Sequence, residues 1–242
     1  MRVGFFSDVH GNWEALAACL KDFETAGLNK LFFLGDAVGY GADPDRVVEK
    51  VVEISDLKIL GNHDAAVIGQ LSPDYFNEYA RASFFFTRET MKPENLQKLR
   101  EFSISETWSG FTLVHALPKD PESWGYISTL QEAQENFAYF QTQICLIGHS
   151  HRPFIVEQKD GENAHLITAE YTKIEPNCRY IINVGSVGQP RDGNPDACYV
   201  TYDEESKEIY FKRIKYDIKT AQEKMKQAQI PGYLVERLSL GR

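Results

Sequence analysis

Five short apolar segments of the chain each end in residues that can bind a metal ion or transfer a proton. They read GFFSDVHGN (residues 4–12), KLFFLGDAVGYG (30–41), LKILGNHD (57–64), FTLVHA (111–116) and ICLIGHSH (144–151). Short apolar runs bounded by glycine are typical of buried strands. In open α/β sheets, ligands bind beyond the carboxyl ends of the strands. We therefore expect the five endings to meet at one edge and form one site.

The side chains at these endings are suited to divalent metal ions. Two pairs of them, Asp8/His10 and His149/His151, are spaced i, i+2, and in extended backbone such side chains point the same way. Imidazole and carboxylate with one amide oxygen and no thiolate suit Mn, Fe, Ni, Zn or Co. The sixth histidine, His165, lacks this context, and we expect a structural role for it. Seven candidate ligands would suffice for two ions that share a carboxylate: Asp8, His10, Asp36, Asn62, His115, His149 and His151.

The elements that must position these residues predict an α/β protein. Residues 1–64 alternate strand, helix, strand, helix, strand, which favours parallel strands. Later short strands suggest an antiparallel sheet, and we expect one domain over residues 1–242 with a helical insertion at about 65–102. Predicted helices cover 12–26, 44–54, 128–140 and 217–229. Predicted strands cover 2–6, 31–34, 57–60, 143–147, 153–157, 164–170, 180–184, 197–202 and 208–214, with a hairpin at 104–115.

Composition excludes some classes of function. The 242 residues carry a formal net charge of −9, and no basic face for non-specific nucleic-acid binding is evident. No window is apolar enough to span a membrane, and we expect no signal peptide, because the N-terminus has neither an apolar h-region nor a cleavage site. Four scattered cysteines without a CxxC motif fit reduced thiols in the cytoplasm, where we expect the protein to act. Whether the chain forms a homo-oligomer is left open.

The full set of motifs, in this order, resembles that of the calcineurin-like metallophosphoesterases. The motifs Asp-x-His, Gly-Asp, Gly-Asn-His-Asp, His and Gly-His-x-His span residues 8–151. The stretches GDAVGYG (35–41) and NVGSVGQPRDG (183–193) are similar to signatures of the small bacterial and archaeal phosphoesterases, the phosphodiesterase branch. The resemblance implies a four-layer α/β/β/α sandwich with mixed sheets. It further implies βαβ units in the first half and mainly antiparallel strands in the second.

The resemblance also implies two divalent ions per chain, with manganese favoured, and a role for each ligand. His63 would not bind metal; it would act as the general acid toward the leaving group while a hydroxide bridging the ions attacks phosphorus. Asp36 would bridge the ions. One ion would be held by Asp8, His10, Asp36 and His151. The other would be held by Asp36, Asn62, His115 and His149.

Further residues are candidate substrate contacts, and each has a structural alternative. Asn12 is favoured as a helix cap, and Tyr40 is balanced between packing and contact. Arg191 could equally form a turn held by Asp192. Asp64 either caps the helix that follows it, which is favoured, or orients a neighbouring group. The candidate substrate contacts are Asn12, Tyr40, Arg152 and Arg191.

One departure from the family pattern bears on the substrate, which we expect to be a small phosphate ester or a nucleotide. Serine/threonine protein phosphatases read Gly-Asp-x-Val-Asp-Arg-Gly, and this chain has Gly39 and Tyr40 at the second acid and the arginine. That difference disfavours a protein phosphatase and favours a hydrolase of phosphodiesters or related phosphate esters. The alternatives are a nucleotide or dinucleoside polyphosphate hydrolase, and a phosphomonoesterase. A non-catalytic interaction scaffold is less favoured, because His63 and all seven ligands are intact.

Overall fold

Two six-stranded sheets form the centre of the structure, a computed structural model that describes residues 1–242. The first sheet has the strand order β3-β2-β1-β11-β12-β9, and the second has the order β4-β5-β6-β10-β7-β8. The strands are β1 Arg2–Phe6, β2 Lys30–Phe33, β3 Leu57–Lys58, β4 Ser105–Trp108, β5 Phe111–Val114, β6 Ile144–Ile147, β7 Phe154–Lys159, β8 His165–Ile167, β9 Tyr171–Lys173, β10 Cys178–Asn183, β11 Ala197–Asp203 and β12 Glu208–Ile214.

Eight α-helices accompany the sheets, and none has the length and apolar character that crossing a bilayer requires. The first begins where Asn12 accepts a hydrogen bond from the amide of Ala15, and Gly27, with a φ of 64°, follows its end. The last helix was not predicted. The helices are α1 Trp13–Thr25, α2 Pro44–Ile54, α3 Asn62–Val67, α4 Glu78–Thr90, α5 Pro93–Leu99, α6 Leu130–Asn136, α7 Ile218–Gln227 and α8 Gly232–Arg237.

Alternation of apolar side chains along the strands builds the predicted four layers. In β1, Phe5 faces the second sheet and stacks on Phe111 at 5.4 Å, while Phe6 faces the helical layer. In β2, Phe32 and Phe33 repeat this division. Full burial of such a side chain contributes about 1.5–3 kcal/mol, so each strand stabilises two layer interfaces at once. The sandwich fold is therefore confirmed.

The second half of the chain corrects one expectation, because its strands do not form a single antiparallel sheet. β10 lies parallel to β6 in the second sheet, whereas β11 lies antiparallel to β1 in the first. Both β10 and β11 are buried on both faces along most of their length, as central strands must be. Apolar content alone cannot say which sheet each strand joins. The edge strand β9 was not predicted.

The loops that leave these strands are hydrogen-bonded to one another. After β1, the amide of Asp8 donates to the carbonyl of Gly35 at 2.8 Å, and the amide of His10 donates to that of Asp36 at 3.0 Å. From the loop after β10, the amide of Gly188 donates to the carbonyl of Asp8 at 2.9 Å. The loops after β1, β2 and β10 therefore form one framework at the carboxyl ends of their strands.

Substitution of Gly188 should disrupt this framework. A Cβ atom at this position would lie 1.9 Å from the carbonyl oxygen of Val9, so the backbone must move. We expect Gly188→Ala to lower the free energy of unfolding by about 2 kcal/mol or more, measured by urea denaturation. Gly232→Ala is the matched control, because a Cβ there meets nothing within 4 Å, and it should change stability by less than about 1 kcal/mol. Equal stability of the two variants would contradict the close approach.

Candidate metal centre

The candidate ligands are held by unusual backbone conformations. Five of the seven lie in the left-handed region, which costs a non-glycine residue about 1–3 kcal/mol and is typical of functional sites. The i, i+2 pairs therefore converge through tight turns, and the extended backbone assumed for them from the sequence is wrong. The five are Asp8 with a φ of 55°, His10 with 49°, Asp36 with 59°, His149 with 65° and His151 with 58°.

Each of the four candidate histidine ligands is oriented by a backbone carbonyl. A carbonyl oxygen can only accept a hydrogen bond, so the ring nitrogen that faces it carries the proton. The other nitrogen of a neutral ring then presents a lone pair to the cluster, which is the arrangement found in metal-binding histidines. The pairs are His10 Nδ1 with Val38 O at 2.9 Å, His115 Nδ1 with Leu34 O at 2.7 Å, His149 Nε2 with Trp124 O at 3.0 Å and His151 Nδ1 with Gln189 O at 2.7 Å.

Asp8, His10 and His151 form the first group of ligand atoms. The Oδ1 atom of Asp8 lies 3.2 Å from Nε2 of His151 and 3.7 Å from Nε2 of His10. The two Nε2 atoms are 3.0 Å apart, although both are unprotonated when their rings are neutral. Oδ1 of Asp8 is buried and has no hydrogen-bond partner. Lone pairs directed at one another and at an unpartnered carboxylate oxygen are suited to a shared cation.

Asp36, Asn62, His115 and His149 form the second group. Nε2 of His115 lies 3.2 Å from Oδ1 of Asn62 and 3.3 Å from Oδ2 of Asp36. The candidate ligand atoms of Asp36, His115 and His149 all lie within 4.8 Å of one another. Oδ2 of Asp36 is also 3.6 Å from Nε2 of His10. One carboxylate oxygen of Asp36 thus lies between the two groups.

The buried charges of the cluster are suited to divalent cations. Burial alone would raise the pKa of Asp36, but the surrounding imidazoles, His115 first, hold that pKa well below its usual value. Burial opposes protonation of His115, yet contact with Asp36 outweighs it and raises the pKa of His115 to about 9. Burial lowers the pKa of His149 to about 3 and that of His10 well below its usual value. Two buried carboxylates thus share one imidazolium, and cations would supply the remaining positive charge.

Asp64 combines both roles considered for it. Its Oδ2 atom accepts hydrogen bonds from the amides of Asp36 at 2.8 Å and Gly61 at 3.2 Å, and its Oδ1 atom accepts from the amide of Val38 at 3.1 Å. The bond to Gly61 belongs to the cap of α3, whereas the other two fix the loop that carries Asp36. Burial, followed by the charge of Asp36, raises the pKa of Asp64 to about 7.

His63 is placed by aromatic neighbours. Its ring stacks on Phe76 at 4.6 Å, lies 4.6 Å from the ring of Tyr40, and has no hydrogen-bond partner in the protein. A Cβ on Gly39, where φ is +91°, would lie 2.5 Å from Nδ1 of His63. The imidazole therefore occupies the space that the protein-phosphatase acid would need at position 39. Burial lowers the pKa of His63 to about 4.

Two of the candidate substrate contacts have structural roles. Asn12 caps α1 and donates from Nδ2 to the carbonyl of Gly188 at 2.8 Å, so its side chain is engaged within the protein. Tyr40 is buried and packs 4.6 Å from the ring of His10 as well as against His63. The sixth histidine, His165, lies away from the cluster on an edge strand, where it is exposed and 3.4 Å from Glu157.

Arg191 is the candidate contact that reaches toward the cluster. Its guanidinium carbon lies 5.6 Å from the centre of the Tyr40 ring, and its Nη2 donates to Oε1 of Gln189 at 2.9 Å. The exposed Arg152 donates from Nε to the carbonyl of Arg191 at 3.0 Å. The predicted alternative, a turn held by contact between Arg191 and Asp192, is wrong, because Asp192 pairs with Arg213 instead. Arg191 is thereby left without a carboxylate partner.

Sequence reasoning missed the aromatic residues that surround the cluster. The ring of Tyr126 stacks on that of His149 with centroids 4.1 Å apart, and Phe76 covers His63 in the same way. Both residues lie in segments without a recognisable motif. Aromatic residues in a sequence are ordinarily interpreted as core residues. The sequence therefore carried no signal that would distinguish Phe76 and Tyr126 from the aromatic residues of the core.

Comparison with known proteins places the chain among phosphoesterases. Residues 1–207 match the family model of the calcineurin-like phosphoesterase superfamily domain. An uncharacterized protein of Methanocaldococcus jannaschii is 40% identical over 245 residues, which cover 99% of this chain and 98% of the relative. A metallophosphoesterase from Sphaerobacter thermophilus superposes on this chain with a TM-score of 0.87 and is 38% identical to it. The superposition covers 100% of this chain and 99% of the Sphaerobacter protein. A hypothetical protein of Pyrococcus horikoshii has the same fold, with a TM-score of 0.79 and 19% identity. That superposition covers 100% of this chain and 98% of the Pyrococcus protein.

Loss of the Asp64 carboxylate should weaken metal binding without unfolding the protein. In Asp64→Asn, the side-chain NH₂ group must face a backbone amide, so the loop that carries Asp36 loses part of its support. We expect affinity for Mn²⁺, measured by isothermal titration calorimetry, to fall about 10–100-fold. Asp203→Asn is the matched control, because Asp203 also accepts from two backbone amides but is remote from the cluster. Parental affinity in Asp64→Asn would contradict the positioning role.

Proposed function

The chain belongs to the calcineurin-like phosphoesterase superfamily and is a phosphate-ester hydrolase, and from this premise we propose that it hydrolyses phosphodiesters with two divalent metal ions. The observation that carries the proposal is the position of Asp36. Its Oδ2 atom lies 3.6 Å from Nε2 of His10 and 3.3 Å from Nε2 of His115, between the two groups of candidate ligand atoms. A carboxylate in that position is suited to bridging two cations.

The proposed ligands divide into two sets that share Asp36, and manganese suits their nitrogen and oxygen atoms. When bound, the ions would lower the pKa of water and offset the charge of the phosphoryl oxygens. Because Asn62 and the neutral histidines carry no negative charge, they would leave the positive charge of the ions available to the substrate. One set is Asp8, His10, Asp36 and His151. The other set is Asp36, Asn62, His115 and His149.

We assign the proton transfer to His63. Neither ring nitrogen is engaged by the protein, and Phe76 and Tyr40 fix the plane of the ring, so a proton on it is available to a leaving oxygen. Burial keeps the pKa of His63 near 4, which disfavours the charged form. A phosphate anion beside the ring would favour the charged form, because opposite charges raise the pKa of an imidazole.

The surroundings of His63 favour a diester over a phosphoprotein. Gly39 and Tyr40 stand at the positions of the protein-phosphatase acid and arginine, and the ring of Tyr40 packs against His10 and His63. We propose Arg191 as a contact to a non-bridging phosphoryl oxygen, since its guanidinium has no carboxylate partner. A single guanidinium matches the single negative charge of a diester.

The proposal extends to the setting in which the enzyme acts. All four cysteines are buried and free, which is consistent with a reducing cytoplasm. The net charge of −9 disfavours non-specific binding to nucleic acid and favours a small phosphate ester as substrate.

Leaving-group dependence in a His63 variant tests the proposal. With Mn²⁺ added, the parent should cleave both bis-p-nitrophenyl phosphate and diphenyl phosphate. We expect His63→Ala to keep the parental manganese content by elemental analysis. Its kcat should fall about 10²–10⁴-fold on diphenyl phosphate, because phenolate is a poor leaving group that needs a proton. The loss should be much smaller on bis-p-nitrophenyl phosphate, since p-nitrophenolate leaves readily without one.

His165→Ala is the matched control and should behave as the parent on both esters, because His165 is exposed and remote from the cluster. Equal losses on the two esters in His63→Ala would remove His63 from proton donation. No hydrolysis of either ester by the parent with Mn, Fe, Ni, Zn or Co would contradict the proposed function itself.

A further inference from the structure

A cavity of about 470 Å³ opens beside the candidate metal centre. Asn62 and His149 form its inner wall, so anything bound in it touches the cluster. Its other walls come from residues 70–76 and 122–126, two segments that contribute no candidate ligand. The volume is typical of a small-molecule site, and lining side chains such as Tyr75 and Tyr126 are exposed to solvent.

Four aromatic rings, those of Tyr75, Phe76, Trp124 and Tyr126, line these walls. Tyr126 stacks on His149 yet remains 53% exposed, and Tyr75 is 81% exposed, although burial of such rings is normally favourable. Phe76 and Trp124 add two partly buried rings to the same cavity. The ring of Tyr126 prolongs the stack that begins at His149, so a flat ring placed against it would continue that stack outward from the cluster.

The charges of the cavity argue against a second anionic group. No lysine or arginine lines it, and Glu122 contributes a carboxylate that forms no ion pair or hydrogen bond within the protein. The amide side chain of Gln70 is likewise without a partner in the protein. The amide of Gln70 can donate and accept hydrogen bonds and the carboxylate of Glu122 can accept them, which suits an uncharged polar edge, whereas the charge of Glu122 would repel a phosphate chain or a carboxylate.

We propose that this cavity binds a nucleobase, so that the substrate is a phosphodiester of a nucleoside whose scissile phosphate lies at the candidate metal centre. The inference rests on the proposed function, which supplies the phosphate site. Aromatic faces recognise bases through stacking. The amide of Gln70 and the carboxylate of Glu122 can bind the donors and acceptors along the edge of a heterocycle. Tyr75 and Tyr126 are then specificity-determining residues.

Two diesters that share a leaving group provide the test. Thymidine 5′-(p-nitrophenyl phosphate) carries a base, and ethyl p-nitrophenyl phosphate does not, while both release p-nitrophenolate. With Mn²⁺ present, we expect kcat/KM of the parent to be about tenfold or more higher for the thymidine ester. The ratio of the two values cancels any effect of a substitution on the metal centre that both esters share.

Tyr75→Ala and Tyr126→Leu should each reduce this ratio toward 1. Tyr139→Ala is the matched control, because Tyr139 is 50% exposed but lies outside the cavity, and it should keep the parental ratio. A parent that cleaves both esters with equal kcat/KM would overturn the base site and leave the proposed function intact. Parental ratios in both cavity variants would also overturn it. Failure of the parent to cleave either ester with any of the five metals would overturn both proposals together.

Discussion

The buried carboxylate of Asp36 is the constraint on which the rest of the site depends. Its Oδ2 atom faces imidazoles of both ligand groups, its Oδ1 atom accepts from the amide of His63 at 2.8 Å, and Asp64 holds its own amide. Burial of an unpaired carboxylate costs several kcal/mol, so every neighbour of Asp36 must supply a donor or positive charge. The glycine-bounded loops are the means by which the chain brings those neighbours close enough.

The site is built at a cost that the sandwich must offset. Each of the five left-handed residues costs about 1–3 kcal/mol relative to ordinary backbone. The strands behind the loops compensate through burial, with Phe5, Phe32 and Tyr180 wholly or almost wholly enclosed between the sheets. Binding of cations would recover part of the remaining cost, because it gives the unpartnered Oδ1 atom of Asp8 a counter-charge.

Local patterns in the sequence were sufficient to predict every strand except β9, the first helices and the convergence of the loops. The run VGFF before Asp8 and the run LKIL before Gly61 indicate strands, because short apolar runs that end at glycine or polar residues are typical of buried strands. The assignment of β10 and β11 to different sheets could not be predicted, since both are apolar throughout and pair with distant strands. Phe76 and Tyr126 could not be distinguished from core aromatics, because only the folded chain sets them against histidines. The single-domain reading of residues 1–242 stays a prediction.

Anomalous diffraction from crystals grown with Mn²⁺ tests the central claim most directly. A shared Asp36 predicts two manganese peaks per chain, about 3.5–4 Å apart, with the Asp36 carboxylate coordinating both. Asp8, His10 and His151 should complete the coordination of one peak, and Asn62, His115 and His149 that of the other. A single peak, or two peaks of which one has no contact with Asp36, would contradict the account.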